Sequence, residues 1–197
     1  MEKREDGIPT FYAETAAAWR AWLEANHIVE KGVWLIIYKK RSKTPSVYYP
    51  EAVDEALCFG WVDSKPNKRD ADSYFQYFSK RSPKSNWSGI NKRKIEPLLR
   101  EKRVAPAGLE MVKIAQETGT WDALNDVENG VIPDDLQEAF ERYPNAIENF
   151  ATFPESARRG ILNWILNAKS PATRKKRIEE AAALAAENKR AAQWKKG

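Results

Sequence analysis

The stretch that decides the fold runs from Pro50 to Asn91 and reads PEAVDEALCFGWVDSKPNKRDADSYFQYFSKRSPKSNWSGIN. It opens as a helix, because Pro50 suits a first helical turn and Gly60 is placed to end it. The segments FGWVDS and YFQYFS predict two paired strands, and the polar KPNKRDAD between them predicts a mobile loop. Ser85 or Asn86 then caps a further helix. This order of elements predicts a small mixed unit of helices and strands.

The segments on either side extend the prediction to the whole chain. Thr15 is placed to cap a helix that runs to about His27, and the unbroken apolar run VWLIIYKK after Gly32 predicts a central strand covered on both faces. At Pro97 we expect the helix to kink or break, because proline lacks the amide hydrogen that a helix interior needs. The predicted core beneath the sheet comprises Trp34, Leu35, Ile36, Leu57, Phe59 and Val62.

These elements predict an α+β fold in two parts. Residues 1–103 are expected to form a small mixed α/β N-terminal part, with a few-stranded sheet and flanking helices, that contains the FGWVDS and SPKSNWS motifs. Residues 104–197 are expected to form an all-helical C-terminal part, in which Pro106, Pro133 and Pro171 suit helix starts. A chain of 197 residues is long enough to give both parts a core.

Composition narrows the class of protein. A hydrophobic content of 42% with eight Trp is too high for a disordered chain. The N-terminus MEKREDGIPTFY lacks an apolar run of signal-peptide length, and no window approaches the roughly 20 apolar residues that span a bilayer, so we expect no membrane span and a cytoplasmic location. One Cys and one His cannot form an internal disulfide or an ordinary zinc site, so neither a metal nor a cofactor is expected.

Charge is segregated along the chain. Residues 79–103 carry a net charge of +7, residues 104–154 a net charge of −8, and residues 155–197 a net charge of +7. The two basic blocks are expected either to be neutralised within the fold or to leave a basic face that meets phosphates or another polyanion.

A set of cations, an amide and an indole precedes a predicted helix N-terminus and is suited to hold an anionic ligand. The set comprises Lys80, Arg81, Lys84, Asn86 and Trp87. The alternative interpretation is that Trp87 fills the core while the cations form a solvated rim. Because no helix-turn-helix, Walker or dinucleotide motif accompanies the set, a sequence-specific nucleic-acid reader is disfavoured, and non-specific nucleic-acid binding remains open.

Two carboxylates in the same stretch form a second candidate site. Asp54 and Asp63 are suited to act as acid and base of a small-molecule enzyme if the turn brings them together beside Trp61. Asp54 is equally suited to stabilise the helix N-terminus, and Asp63 to pair with Arg81 or Lys65. No nucleophile with an adjacent base is visible.

The start of the last helix forms a third candidate site. Ser170 is placed to cap it, yet Arg174 and Arg177 lie in its first turns, against the positive end of the helix dipole. The compensating charge must come either from carboxylates of the acidic segment or from an external anion. We favour internal pairing.

Four ordered blocks resemble the YdeI/OmpD-associated family, also called bacteriocin-protection proteins. The blocks are EAVDEALCFGWVDS beside Tyr48, SKRSPKSNWSGIN, APAGL and NAKSPATRKKRI, within a span from about Val33 to Ala192. The resemblance implies a fold more than a mechanism, and the family name suggests resistance to bacteriocins or cationic antimicrobial stress. Pro97 and the tripeptide KRV from Lys102, where a Gly-Arg-Met-like turn is expected, depart from the family pattern.

The function expected from the residues and the resemblance together is that of a cytoplasmic stress- or bacteriocin-protection-type protein. We expect its partner to be an anionic small molecule or a polyanion. A periplasmic location, thought to hold for some members of the family, is not expected here. The enzyme that uses Asp54 and Asp63 and the non-specific nucleic-acid binder remain as alternatives.

Overall fold

The computed structural model describes residues 7–192, and the chain forms two compact units that divide between Asp122 and Ala123. The first unit combines a four-stranded sheet with helices, whereas the regular elements of the second unit are helical. The predicted α+β class is confirmed.

The first unit contains eight described elements in chain order. They are β1 (Thr10–Tyr12), α1 (Ala16–Asn26), β2 (Gly32–Tyr38), α2 (Tyr49–Cys58), β3 (Trp61–Lys68), β4 (Ser73–Lys80), α3 (Gly89–Arg100) and α4 (Pro106–Thr118). The sheet order is β1-β2-β4-β3, with β1 parallel to β2 and the other pairs antiparallel. The apolar run is therefore an inner strand, as predicted, whereas β1 is too short to produce a periodic pattern.

Strand alternation decides which side chains reach the core of the first unit. Val33, Leu35 and Ile37 of β2 join the buried cluster that contains Trp19 of α1 and Leu57 of α2. The side chains between them, including Trp34 and Ile36, point to the opposite face of the sheet, because side chains alternate along a strand. Val62 of β3 is likewise absent from this cluster. The prediction of one core containing Trp34, Ile36 and Val62 is therefore wrong.

A tight turn connects β3 to β4. The mobile loop predicted for the segment KPNKRDAD is therefore wrong in its first half, because Lys65–Lys68 belong to β3. A register shift between Asp63 and Pro66 places the proline at an irregularity, where a missing ladder hydrogen bond is tolerated. The side chain of Asp70 accepts hydrogen bonds from the amides of Asp72 and Ser73 at 2.9 and 2.7 Å and closes the turn.

Two predictions about α3 are corrected. Its cap is Ser88, whose hydroxyl accepts a hydrogen bond from the Asn91 amide, rather than Ser85 or Asn86. The helix also continues through Pro97 to Arg100, so the predicted break is wrong; one proline near the C-terminal end removes a single backbone hydrogen bond. Lys102 then takes a left-handed conformation with φ of 56°, at the tripeptide where the family pattern leads one to expect glycine.

The second unit contains five described helices. They are α5 (Asn125–Glu128), α6 (Asp134–Glu141), α7 (Ala146–Thr152), α8 (Glu155–Leu166) and α9 (Pro171–Ala186). Its core is a separate cluster in which the rings of Phe140 and Phe150 lie 5.1 Å apart. Ser170 caps α9 through the Thr173 amide, as predicted. In residues 7–192 none of the helices has both the length and the apolar character of a membrane span.

Candidate functional site

A cavity of about 260 Å³ lies where five elements of the first unit meet; we name it the Arg81 cavity. The residues after α1, the turn after α2, the start of β3, the end of β4 and the first turns of α4 all contribute to its wall. Its lining comprises His27, Ile28, Phe59, Gly60, Trp61, Lys80, Arg81, Ala107 and Met111.

Glycine residues allow α2 and α4 to approach closely enough to form one side of this cavity. Gly60 has a left-handed φ of 70°, and a Cβ there would lie 2.9 Å from the Ala107 carbonyl oxygen. A Cβ on Gly108 would lie 2.3 Å from the Cys58 carbonyl oxygen. The Ala105 amide donates a hydrogen bond to that same oxygen at 2.9 Å. The APAGL block therefore holds α4 against the end of α2.

Arg81 is the most unusual residue of the cavity wall, since only 6% of it is exposed and it forms no ion pair with a described carboxylate. Its Nη2 donates hydrogen bonds to the backbone carbonyls of Asn86 and Ser85. Its guanidinium carbon lies 4.1 Å from the ring centroid of Trp87. The Nε atom is buried and has no hydrogen-bond partner. Burial lowers the pKa of Arg81 to about 10.

Two other predicted residues, Trp61 and Lys80, lie in the same wall. Trp61 is almost fully buried, and its indole Nε1 donates to the His27 carbonyl at 3.4 Å. The exposed Lys80 donates from Nζ to the Ile28 carbonyl at 2.5 Å. Nδ1 of His27 lies 2.8 Å from the Leu23 carbonyl oxygen, so it is the protonated ring nitrogen in the neutral form.

A second cavity of about 450 Å³ adjoins the first, because both share His27, Ile28, Phe59 and Ala107. Its further lining comprises Arg20, Glu24, Ala105 and Pro106. The N-terminus of the 13-residue helix α4 lies at this wall without a side-chain cap. A helix N-terminus favours negative charge, which suits an anion in the Arg81 cavity, whereas the second cavity also has the carboxylate of Glu24 in its wall.

The predicted set around Trp87 is brought together only in part. Trp87 is buried and packs on Trp121 with ring centroids 5.0 Å apart, as the alternative core interpretation requires. Asn86 contributes its backbone carbonyl, which accepts from Arg81. Lys84 is exposed and lines neither cavity. The guanidinium of Arg81 is therefore the group that organises this set.

The two candidate catalytic carboxylates have different partners. Asp54 forms an ion pair with Lys94 of α3 at 2.7 Å. Asp63 accepts a hydrogen bond at 2.6 Å from the hydroxyl of Tyr49, and burial and this hydrogen bond raise the pKa of Tyr49. Neither carboxylate lines the two cavities, and Lys65 is exposed on β3. Among the described residues, Asp54 and Asp63 share no hydrogen-bond or ion-pair partner.

In the second unit, the two predicted arginines of α9, Arg174 and Arg177, have internal partners. Arg174 donates two hydrogen bonds to Asp135, at 2.6 and 2.8 Å, and these bonds lower the pKa of Asp135. Arg177 donates to the Trp164 carbonyl, and its guanidinium lies 5.0 Å from the Trp164 ring centroid. For Arg174 the acidic segment supplies the compensating charge.

The sequence prediction missed a buried carboxylate, Glu55, which is 4% exposed. Glu55 accepts hydrogen bonds from Arg20 at 2.8 Å and from Arg103 at 2.5 Å. A signal was present in the sequence, because Glu55 follows Ala52 by three residues and precedes Phe59 by four, a spacing that places all three on one side of a helix. Cys58, near Glu55, is fully buried. Burial, and to a smaller extent the negative charge of Glu55, raises the pKa of the Cys58 thiol, so the thiol stays protonated near neutral pH.

Comparisons with known proteins identify families for both units. Residues 11–111 match the model of a family described as a domain of unknown function, DUF8412, and residues 129–188 match the family described as bacteriocin-protection, YdeI or OmpD-associated. The second match contains the NAKSPATRKKRI block and confirms the predicted resemblance, whereas the other three blocks lie within the first. No curated protein and no solved structure matches the chain. The C-terminal unit is thus similar to the bacteriocin-protection, YdeI or OmpD-associated family over residues 129–188, and because the first model covers just over half of the residues, the chain belongs to the DUF8412 family.

Proposed function

We propose that the first unit binds a small anionic molecule in the Arg81 cavity. The single observation that carries the proposal is the buried guanidinium of Arg81, which forms no ion pair with a described carboxylate. Buried charges in proteins are paired as a rule, because removing an ion from water without compensation is costly. The carbonyls of Ser85 and Asn86 and the Trp87 ring compensate the guanidinium in part, and a bound anion would supply the negative charge that these groups lack.

The remaining wall of the cavity supports an anionic ligand with an uncharged body. Lys80 adds a second cation at the rim, and the N-terminus of α4 adds a favourable dipole. Phe59, Trp61 and Met111 offer apolar contacts that exclude water and strengthen the electrostatic attraction. Few polar groups within a mostly apolar wall are typical of small-molecule sites.

The family match of the second unit supports a protective role for this binding. The matched family is described as bacteriocin-protection, and we propose that anion binding by the first unit serves protection against bacteriocin-type stress in the cytoplasm. The enzyme alternative has less support, because Asp54 and Asp63 lie outside both cavity linings.

The proposal is tested by thermal-shift and calorimetric titration of the full chain with carboxylates, inorganic phosphate, sugar phosphates and nucleotides. A ligand present at 100 times its Kd should stabilise the wild type by about 2.7 kcal/mol. Arg81→Gln should abolish this gain, whereas Lys84→Gln, which removes an exposed cation outside the cavity, should retain it.

Loss of the fold in Arg81→Gln would itself remove binding, so Met111→Trp serves as a second variant that fills the cavity and keeps the arginine. Folded variants of both kinds that bind as tightly as the wild type would refute the proposal. Binding of short single-stranded DNA that weakens steeply with salt and ignores both variants would instead favour the nucleic-acid alternative.

A further inference from the structure

We infer that the ligand of the Arg81 cavity is a monocarboxylate with an apolar body, an aryl or short alkyl acid, rather than a phosphate or phosphate ester. This inference rests on the proposed function of the cavity and names the chemical class of its ligand. Three features of the wall lead to it: the number of free donors, the apolar contacts and the size.

The hydrogen-bond donors available to an anion are few. Of the three guanidinium nitrogens of Arg81, Nη2 is engaged by backbone carbonyls and Nε is buried. Nη1 makes no hydrogen bond to the described residues, and unlike Nε it is not fully buried. It is therefore the guanidinium nitrogen that a ligand can reach. Lys80 keeps two of its three ammonium hydrogens after donating to the Ile28 carbonyl.

One guanidinium nitrogen and one ammonium match the two oxygens of a carboxylate. A phosphate carries three strong acceptor oxygens and a charge of about −1.5 to −2 at neutral pH. Phosphate sites accordingly use bidentate arginine contacts or several backbone amides. Arg81 has lost its bidentate edge because Nε is buried and Nη2 is engaged. At the start of α4, Pro106 has no amide hydrogen and the Ala105 amide donates to the Cys58 carbonyl, so this N-terminus offers its dipole more than a set of free amides. A phosphate dianion bound in this cavity would have oxygen atoms without hydrogen-bond donors, although it had lost the water molecules that hydrated them.

Apolar surface dominates the rest of the lining. Phe59, Trp61 and Met111 line the cavity. At the rim, the apolar side chain of Ile28 is 74% exposed, so it is available to contact an apolar ligand. An apolar cavity of about 150 Å³ holds a benzene molecule, so 260 Å³ has room for a ring or short chain together with a carboxylate. The adjoining cavity offers space for a longer body beyond Phe59.

Six probes test the inference by calorimetry at pH 7.5 on the full chain: phenylacetate, phenylacetamide, phenyl phosphate, inorganic phosphate, hexanoate and acetate. Phenylacetate should bind at least about tenfold more tightly than its neutral amide, because a hydrogen-bonded charge is lost in the amide. Hexanoate should also bind, whereas acetate, which lacks an apolar body, should bind at least about tenfold more weakly than hexanoate. Arg81→Gln and Met111→Trp should each abolish phenylacetate binding, and Lys84→Gln should leave it unchanged.

The outcomes separate this inference from the function on which it rests. If phenyl phosphate or inorganic phosphate binds through Arg81 and the carboxylates do not, the ligand class is wrong and the anion site stands. If phenylacetamide binds as well as phenylacetate, the cavity is an apolar site and both statements fail. Both also fail if no anion binds, or if the folded Arg81→Gln protein binds phenylacetate like the wild type.

Discussion

Glu55 has an environment that is unusual for its residue type, because a carboxylate that is 4% exposed lies in the core of the first unit. Its two oxygens accept from Arg20 and Arg103, so the buried charge is paired on both sides. Pairing of this kind satisfies the carboxylate and joins α1, α2 and the chain after α3. Removal of the charge leaves two guanidinium groups without the anion that they share, and replaces one of its two acceptor oxygens with a donor.

We therefore expect Glu55→Gln to lower the free energy of unfolding by about 2 to 3 kcal/mol, measured by urea denaturation. Glu24→Gln is the matched control, since Glu24 contacts the same Arg20 from an exposed position and should cost no more than about 0.5 kcal/mol. Equal losses in the two variants would show that burial of Glu55 does not strengthen its interaction.

At the scale of elements, the close approach of α4 to the end of α2 determines whether the Arg81 cavity exists. The approach depends on Gly108, whose Cα lies beside the Cys58 carbonyl oxygen. That oxygen also accepts the hydrogen bond from the Ala105 amide, so it cannot move aside without breaking this contact. A larger residue at position 108 would therefore displace α4 as a whole.

Gly108→Ala should lower the free energy of unfolding by about 1 to 3 kcal/mol through overpacking, although alanine favours helices by about 1 kcal/mol over glycine. Gly160→Ala in α8 is the control, because a Cβ there meets no atom within 4 Å, and it should raise stability by up to about 1 kcal/mol. Thermal and urea unfolding of both variants measure the difference. A stabilised Gly108→Ala protein would mean that the two helices are not in close contact.

At the scale of the whole molecule, each unit has its own buried cluster. The cluster of the first unit includes Val104, Val112 and Ala115, which lie after residue 103. The cluster of the second unit begins with Val127. The position at which the chain is cut should therefore decide whether the first cluster stays complete.

We expect a fragment of residues 1–122 to unfold cooperatively and to give dispersed NMR signals, because the whole first cluster is retained. A fragment of residues 1–103 lacks α4 and should be molten or insoluble, with strong binding of a hydrophobic dye. The pair of fragments tests the predicted boundary after Arg103 against the division after Asp122. Cooperative unfolding of the shorter fragment would support the boundary after Arg103.

Most residues that line the Arg81 cavity could not be predicted, because they are distant from one another in the sequence. Arg81 was identified as a candidate from its basic neighbourhood, yet its burial depends on Trp87, and the cavity it lines depends on α4. Met111 and His27, which line the cavity, carry no sequence signal that points to a ligand. Lys84 belongs to the same motif and is exposed, so membership of the motif did not predict membership of the site.

The sequence by itself determined the α+β class, the inner position of β2 and the ends of several helices, because these depend on local terms. Thr15 and Ser170 cap α1 and α9, and Gly119 ends α4 with a left-handed φ of 77°, since capping and glycine conformation act within a few residues. Only the tertiary structure decided which charges are paired and which are buried without a partner. Glu55 meets Arg20 and Arg103 across 35 and 48 residues, and a guanidinium is paired or unpaired according to which side chains folding brings within a few ångströms of it.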